Sequence, residues 1–210
     1  MTVNAAKKIV ALLKKAYPGA DCSLDFKTPH QLLVSTILSA QCTDERVNIV
    51  TKDLFKKYRK PHDYADADIH ELEEDIRSTG FFRNKAKSIK ESAIVIDNHY
   101  NGKIPETMEE LVKLPGVGRK TASVILGTAF RKAEGVVVDT HVIRLSRRLG
   151  LTENKDAVKI EKDLMQILPK SGWIIFSHLM ISHGRAVCKA RKPDCGSCVL
   201  AGLCPSAGSF

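Results

Sequence analysis

The 210-residue chain is long enough for one large domain or two smaller ones sharing a substantial core. Lys and Arg number 33 against 24 Asp and Glu, a formal charge of +9 that suits a polyanionic partner, although charge alone does not separate nucleic-acid binders from other basic proteins. No apolar run is long enough to span a membrane, and lysines interleaved with Ile9, Leu12, Leu13 and Ala16 make the N-terminus an amphipathic helix rather than a secretion signal.

That first helix is predicted over 3–17, stopped by Pro18 and Gly19. Thr28 and Pro29 supply a cap and a first-position proline for an apolar helix through LLVSTILSA. Thr43 and Asp44 open the next, which ends near Tyr58, and Asp68 opens another that ends near Gly80. Between 83 and 100, Ala86, Ile89, Ala93, Ile96 and Tyr100 keep the 3.6-residue period. Thr107 and Glu110 fit a capping box. Further helices are predicted after Gly118, after Asp139, and over roughly 155–168 and 172–184. Val136, Val137 and Val138 form a strand-like run too short for a sheet. The predicted fold is therefore all-α with short loops, without repeats or low-complexity segments.

Residues 111–122 read LVKLPGVGRKTA. Pro115 ends one helix, Gly116 and Gly118 make a tight turn, and a second helix starts near Arg119. The glycines leave the turn amides without side-chain cover. Those amides and the positive end of the following helix suit a DNA phosphate. Lys120 reads either as a solvated helix lysine or as a nucleophile. The second role needs a neutral amine, and a free lysine is only about 0.04% neutral at pH 7. A first-turn position beside Arg119 disfavours its charge, whereas a bound phosphate would restore it. Asp139, in VVVDTHVIRLSRRLG, reads as an N-cap. A catalytic role is compatible with capping, because an ionised carboxylate facing a sugar stabilises positive charge as a base departs.

Four of the six cysteines, Cys188, Cys195, Cys198 and Cys204, crowd the end of the chain with the spacing C-x6-C-x2-C-x5-C. Without a secretion signal, this run points to a metal rather than to disulfides. It holds a single CxxC knuckle where zinc ribbons pair two, and four thiolates also suit a [4Fe–4S] cluster. Spacing leaves zinc and iron–sulfur both open. Lys189, Arg191 and Lys192 lie between the first two ligands, where they either face a DNA backbone or solvate the loop. Cys22 and Cys42 read as small buried thiols.

Two further stretches end in places where the chain presents a side chain. LSAQCTD, residues 38–44, puts Gln41 at the end of an apolar helix. TGFFRNKA, residues 79–86, uses Gly80 to free a turn that presents Phe81, with Arg83 behind it to hold phosphate. The plain alternatives are a polar helix end for Gln41 and a core position for Phe81.

Taken in order, LLVSTILSAQCTD, LPGVGRKTA, VDTHV about twenty residues later and the cysteine run resemble the endonuclease III family of helix–hairpin–helix DNA glycosylases, over nearly the whole chain. The resemblance implies two helical domains, 22–132 with the hairpin, and 1–21 plus 133–210 with the cysteine loop. It implies Lys120 as a Schiff-base nucleophile, Asp139 as its carboxylate partner on the opposite side of a DNA-binding groove, and a [4Fe–4S] cluster on the four late cysteines. It favours Gln41 and Phe81 as residues that enter the duplex, although the family usually carries leucine in place of Phe81. Asp44 and His141 are expected to line the lesion pocket. The implied activity is release of oxidised pyrimidines from double-stranded DNA, with strand cleavage at the abasic site, by a cytoplasmic, nucleoid-associated monomer of prokaryotic type. Three competing readings differ in their residues. An adenine-mismatch glycosylase of the same superfamily would lack Lys120 and carry a further recognition domain after the cysteines. A non-catalytic metal-stabilised DNA-binding module would leave Lys120 and Asp139 without purpose, and an electron carrier would need no hairpin.

Overall fold

The computed structural model describes residues 2–209, and among these every regular element is helical. The chain divides into two compact units, Met1–Asp21 with Ala133–Phe210, and Cys22–Lys132.

The second unit holds α2 (Pro29–Leu38), α3 (Asp44–Lys57), α4 (Pro61–Asp66), α5 (Ile69–Asp75), α6 (Phe82–Tyr100), α7 (Met108–Leu111) and α8 (Arg119–Phe130). Short-range chemistry sets most of the starts. Thr28 caps α2 by accepting from Gln31 N–H, Thr43 caps α3, and Asp68 accepts from two amides of α5. The helix predicted from Asp68 stops at Asp75, and a 3₁₀ turn, Arg77–Thr79, completes the path to Gly80. Helix α4 was not expected from the sequence. Its Lys60 cap position offers no side-chain oxygen, so Asp63 instead accepts from the amides of Arg59 and Lys60 at 2.7 and 2.9 Å. Its anchor is Tyr64, fully buried against Tyr58 and His30. Around this the core gathers Leu32, Leu33 and Leu38 from α2, Leu72 and Ile76, and Ile89 and Ile96 from α6. Each such side chain contributes about 1.5–3 kcal/mol of hydrophobic stabilisation.

The first unit holds α1 (Val3–Ala16), α9 (Thr140–Arg148), α10 (Ala157–Ile167), α11 (Trp173–Ala186) and the cysteine segment. The buried face of α1 is Ala6, Ile9 and Leu13; Leu12 lies at its flank and Ala16 is exposed, because the helix ends there. It meets Leu145 of α9, Leu164 of α10 and Phe176, Leu179 and Met180 of α11 in one cluster. The three valines lead into α9 without regular structure, and Val137 C=O accepts from Ser177 Oγ of α11 at 2.7 Å. Cys22 and Cys42 are half-buried against the core of the second unit rather than enclosed in it.

Candidate functional site

The hairpin joins α7 to α8 and is braced by α6. Leu111, Leu114 and Val117 are buried beneath it. Ser92 Oγ of α6 donates to Pro115 C=O at 2.5 Å. Gly116 has φ +76°, and a Cβ there would lie 2.6 Å from Ser88 Cβ, so both the backbone and the contact with α6 require glycine. Gly118 serves differently. It is the extended N-cap of α8 with open space around it, and no side chain caps the helix. A helix start without a side-chain cap suits an anion. Gly116, Gly118, Arg119 and Lys120 are all exposed, and Lys120 stands in the first turn of α8.

Asp139 caps α9. Its Oδ1 accepts from Val142 N–H at 2.8 Å, while Oδ2 lies 2.9 Å from His141 Nδ1. Both side chains are partly exposed, 18% for Asp139 and 24% for His141. Gly184 of α11 lets this turn pack closely, because a Cβ there would meet His141 and Arg144 at 2.9 Å. His141 is thus tied to the carboxylate itself. Asp44, in the second unit, accepts from Ser23 Oγ at 2.5 Å, which orients its carboxylate from the segment before α2.

Cys188, Cys195, Cys198 and Cys204 line one partly open hollow, with Leu145, Leu149 and Ala201 among its apolar walls. A [4Fe–4S] cluster takes one thiolate per iron, and the four thiols around this hollow supply that donor set. Burial pushes the Cys198 and Cys204 thiols up, so their thiolates need the compensating charge that iron supplies. The surroundings also fit thiolates. Arg148 Nη1 donates to Cys188 Sγ at 3.3 Å and Arg144 donates to Cys188 C=O. His183 Nε2 lies 3.5 Å from Cys198 Sγ, with its Nδ1 against Tyr17 Oη. Hydrogen bonds of this kind orient ligands and tune a cluster. None of Tyr17, Arg144, Arg148 or His183 was singled out from sequence. The one available signal was the four-residue spacing of Arg144 and Arg148, which puts both on one face of α9. Arg148 also donates to the carbonyls of Lys189 and Ala190, bracing the loop that exposes Lys189, Arg191 and Lys192.

Gln41 and Phe81 share an unusual backbone. Their φ values are +54° and +49°, left-handed geometry that costs a non-glycine residue about 1–2 kcal/mol. Gln41 is exposed, and Phe81 is 62% exposed, which excludes a core position. The aromatic that tucks in is Phe82, whose ring lies beneath the guanidiniums of Arg77 and Arg83, each 5.6 Å from its centre.

A glycine hairpin leading into a helix without a side-chain cap, and four thiols around one hollow, are the features of a helix–hairpin–helix repair protein. In agreement, the family model of HhH-GPD superfamily base excision DNA repair proteins matches residues 34–170, and that of the iron-sulfur binding domain of endonuclease III matches 188–204. The chain is 59% identical to the endonuclease III of Synechocystis over 96% of its own length and 92% of that protein. It is 48% identical to the endonuclease III of Bacillus subtilis, over 90% and 86% of the two chains. A solved trapped endonuclease III–DNA covalent intermediate, an estranged-adenine complex, superposes with TM-score 0.93 at 46% identity, covering 100% of this chain and 98% of that one. The chain belongs to the endonuclease III family. It is a DNA glycosylase and abasic-site lyase of base excision repair, it binds DNA, and it carries a [4Fe–4S] cluster. No helix among the described residues is long and apolar enough to cross a membrane.

Proposed function

We propose that this enzyme acts as a monomer on oxidised pyrimidines in double-stranded DNA, in the cytoplasm and on the nucleoid, with Lys120 as nucleophile and Asp139 as the carboxylate that supports base departure. Neutral Lys120 Nζ attacks C1′ of the damaged nucleotide. The glycosidic bond breaks with its electron pair on the base, which takes up a proton. Ring opening leaves a protonated imine between Lys120 and the sugar, and loss of a C2′ proton then expels the 3′ phosphate. Asp139 stabilises the positive charge that develops on the sugar. Gly116, Gly118 and Arg119 receive a backbone phosphate, and Lys189, Arg191 and Lys192 contact the backbone elsewhere. Gln41 and Phe81 occupy the space left by the extruded nucleotide, Arg83 holds a nearby phosphate, and Asp44 and His141 border the lesion. Cys188, Cys195, Cys198 and Cys204 ligate the cluster, which when bound holds the basic loop in shape.

The observation that carries this reading is the uncapped start of α8, with Lys120 exposed in its first turn. A panel of duplexes carrying thymine glycol, an oxidised cytosine, uracil, mismatched adenine or an abasic site tests it. Base release should be confined to the oxidised pyrimidines, strand cleavage should need no alkali, and borohydride should trap the enzyme on the abasic duplex. Preferred release of mismatched adenine without strand cleavage would replace this reading with that of the mismatch glycosylases. Holoprotein should carry about four iron atoms per chain and little zinc.

A further inference from the structure

Lys85 lies in the first turn of α6 and is only 5% exposed. Its Nζ donates to Leu38 C=O and to Thr79 C=O, both at 2.8 Å. Leu38 is the last residue of α2, so its carbonyl has no partner within that helix. Thr79 ends the 3₁₀ turn before Gly80. Gln41 follows Leu38 by three residues, and Phe81 follows Thr79 by two. In both places the chain leaves a carbonyl held by Lys85 and then enters a left-handed, non-glycine residue that is exposed.

The position does not by itself favour a cation. The first turn of a helix disfavours positive charge, and burial holds the Lys85 ammonium below the usual lysine range. The two carbonyls and the negative end of α2 offset that cost. Besides satisfying the two carbonyls, the ammonium sets a fixed distance between two segments 41 residues apart in sequence, at 38 and 79, which an apolar side chain would not do.

We propose that Lys85 is a positioning residue for nucleotide extrusion: its ammonium joins the loops that carry Gln41 and Phe81, so that both side chains are held ready at one spacing. The proposal rests on the reading that these two side chains enter the duplex. A preset spacing lowers the cost of ordering two loops when DNA binds, so it acts on lesion engagement and leaves backbone contacts alone.

The test is a mutant cycle on the full, cluster-bearing chain. Lys85→Met keeps the length and removes the donors. It is combined with a loop variant, Gln41→Ala with Phe81→Ala. Dissociation constants are measured for a duplex with a tetrahydrofuran abasic analogue and for the matched undamaged duplex, together with melting temperatures. The expected result is a loss of about tenfold in preference for the analogue in Lys85→Met, in the range of one lost base stack, with affinity for undamaged duplex retained. In the loop variant, Lys85→Met should cost no further preference. Retained preference in Lys85→Met overturns the proposal. So does an equal loss in the wild-type and loop-variant backgrounds, the signature of a purely structural lysine. If the loop variant itself keeps full preference, the insertion reading fails and the positioning role goes with it. Should Lys85→Met not fold, Lys85→Gln carries the same cycle, because its shorter amide reaches one carbonyl at most; the same two outcomes decide.

Discussion

Helix α8 begins after Gly118 with no side-chain cap, whereas α9 begins after Asp139 with a carboxylate already seated on Val142 N–H. Both starts present the same positive helix end. The open one is available to an anion from outside, with Lys120 beside it. The closed one is occupied by the protein's own anion, which His141 holds from its other oxygen. A helix start can thus serve either as a receptor for phosphate or as a mount for a fixed negative charge, and one residue at the cap position decides which.

Breaking the open start at Lys120, the proposed nucleophile, has the largest expected effect. Lys120→Gln should abolish borohydride trapping on abasic duplex. Lys120 is exposed, so folding stability should stay within about 0.5 kcal/mol of wild type. Undiminished trapping by Lys120→Gln would move the nucleophile to another amine. Next comes the closed start. Asp139→Asn keeps an acceptor for Val142 N–H and removes the charge, so single-turnover base release should slow by about two to three orders of magnitude while the melting temperature barely moves. Asp139→Ala should add a loss of about 1 kcal/mol in stability from the missing cap. Near-normal turnover in Asp139→Asn would reduce Asp139 to a cap.

The turn ahead of the open start is a matter of packing. Gly116→Ala meets Ser88 of α6 and a φ of +76° at once, and should cost about 1–3 kcal/mol of stability along with DNA affinity. Adding Ser88→Gly should return the contact part of that loss, less about 0.5–1 kcal/mol for a glycine inside α6, and leave the backbone part. Chemical denaturation of the two variants separates these. A Gly116→Ala chain as stable as wild type would mean that the hairpin adjusts freely, and that its shape is set by DNA.

The two starts differ little in how far the sequence announced them. The glycines of LPGVGRK and the aspartate of VDTHV act on amides within three residues, so local chemistry was enough to place both. Contacts across the chain were not legible. Lys85 looks like any solvated helix lysine, and its burial depends on carbonyls at 38 and 79. The left-handed backbones of Gln41 and Phe81 carry no residue signal, since neither is glycine or asparagine. Helix α4 is short and polar, with Tyr64 as its anchor, so periodicity could not reveal it. Arg148 was visible within a string singled out for another reason, but its partners lie 40 to 42 residues away.

Converting the open start into the closed kind has the smallest effect on folding and the sharpest effect on the comparison. Gly118 is extended, with φ −87° and ψ 173°, and nothing lies within 4 Å of a Cβ placed there. Aspartate can therefore enter without strain and accept from the first-turn amides, as Asp139 does. Gly118→Asp should stabilise the fold by a few tenths of a kcal/mol, because a carboxylate caps better than glycine. It should also weaken DNA binding, because the amides are occupied and the new charge repels phosphate. Losing one phosphate contact should flatten the plot of log affinity against log salt by about one unit. Gly118→Asn separates the two causes, since it fills the amides without adding charge. If occupancy dominates, both variants bind DNA weakly; if repulsion dominates, only the aspartate does, and chiefly at low salt. Unchanged affinity and salt slope in both would show that the bare amides of α8 do not receive a phosphate, and the difference between the two helix starts would then be one of capping alone.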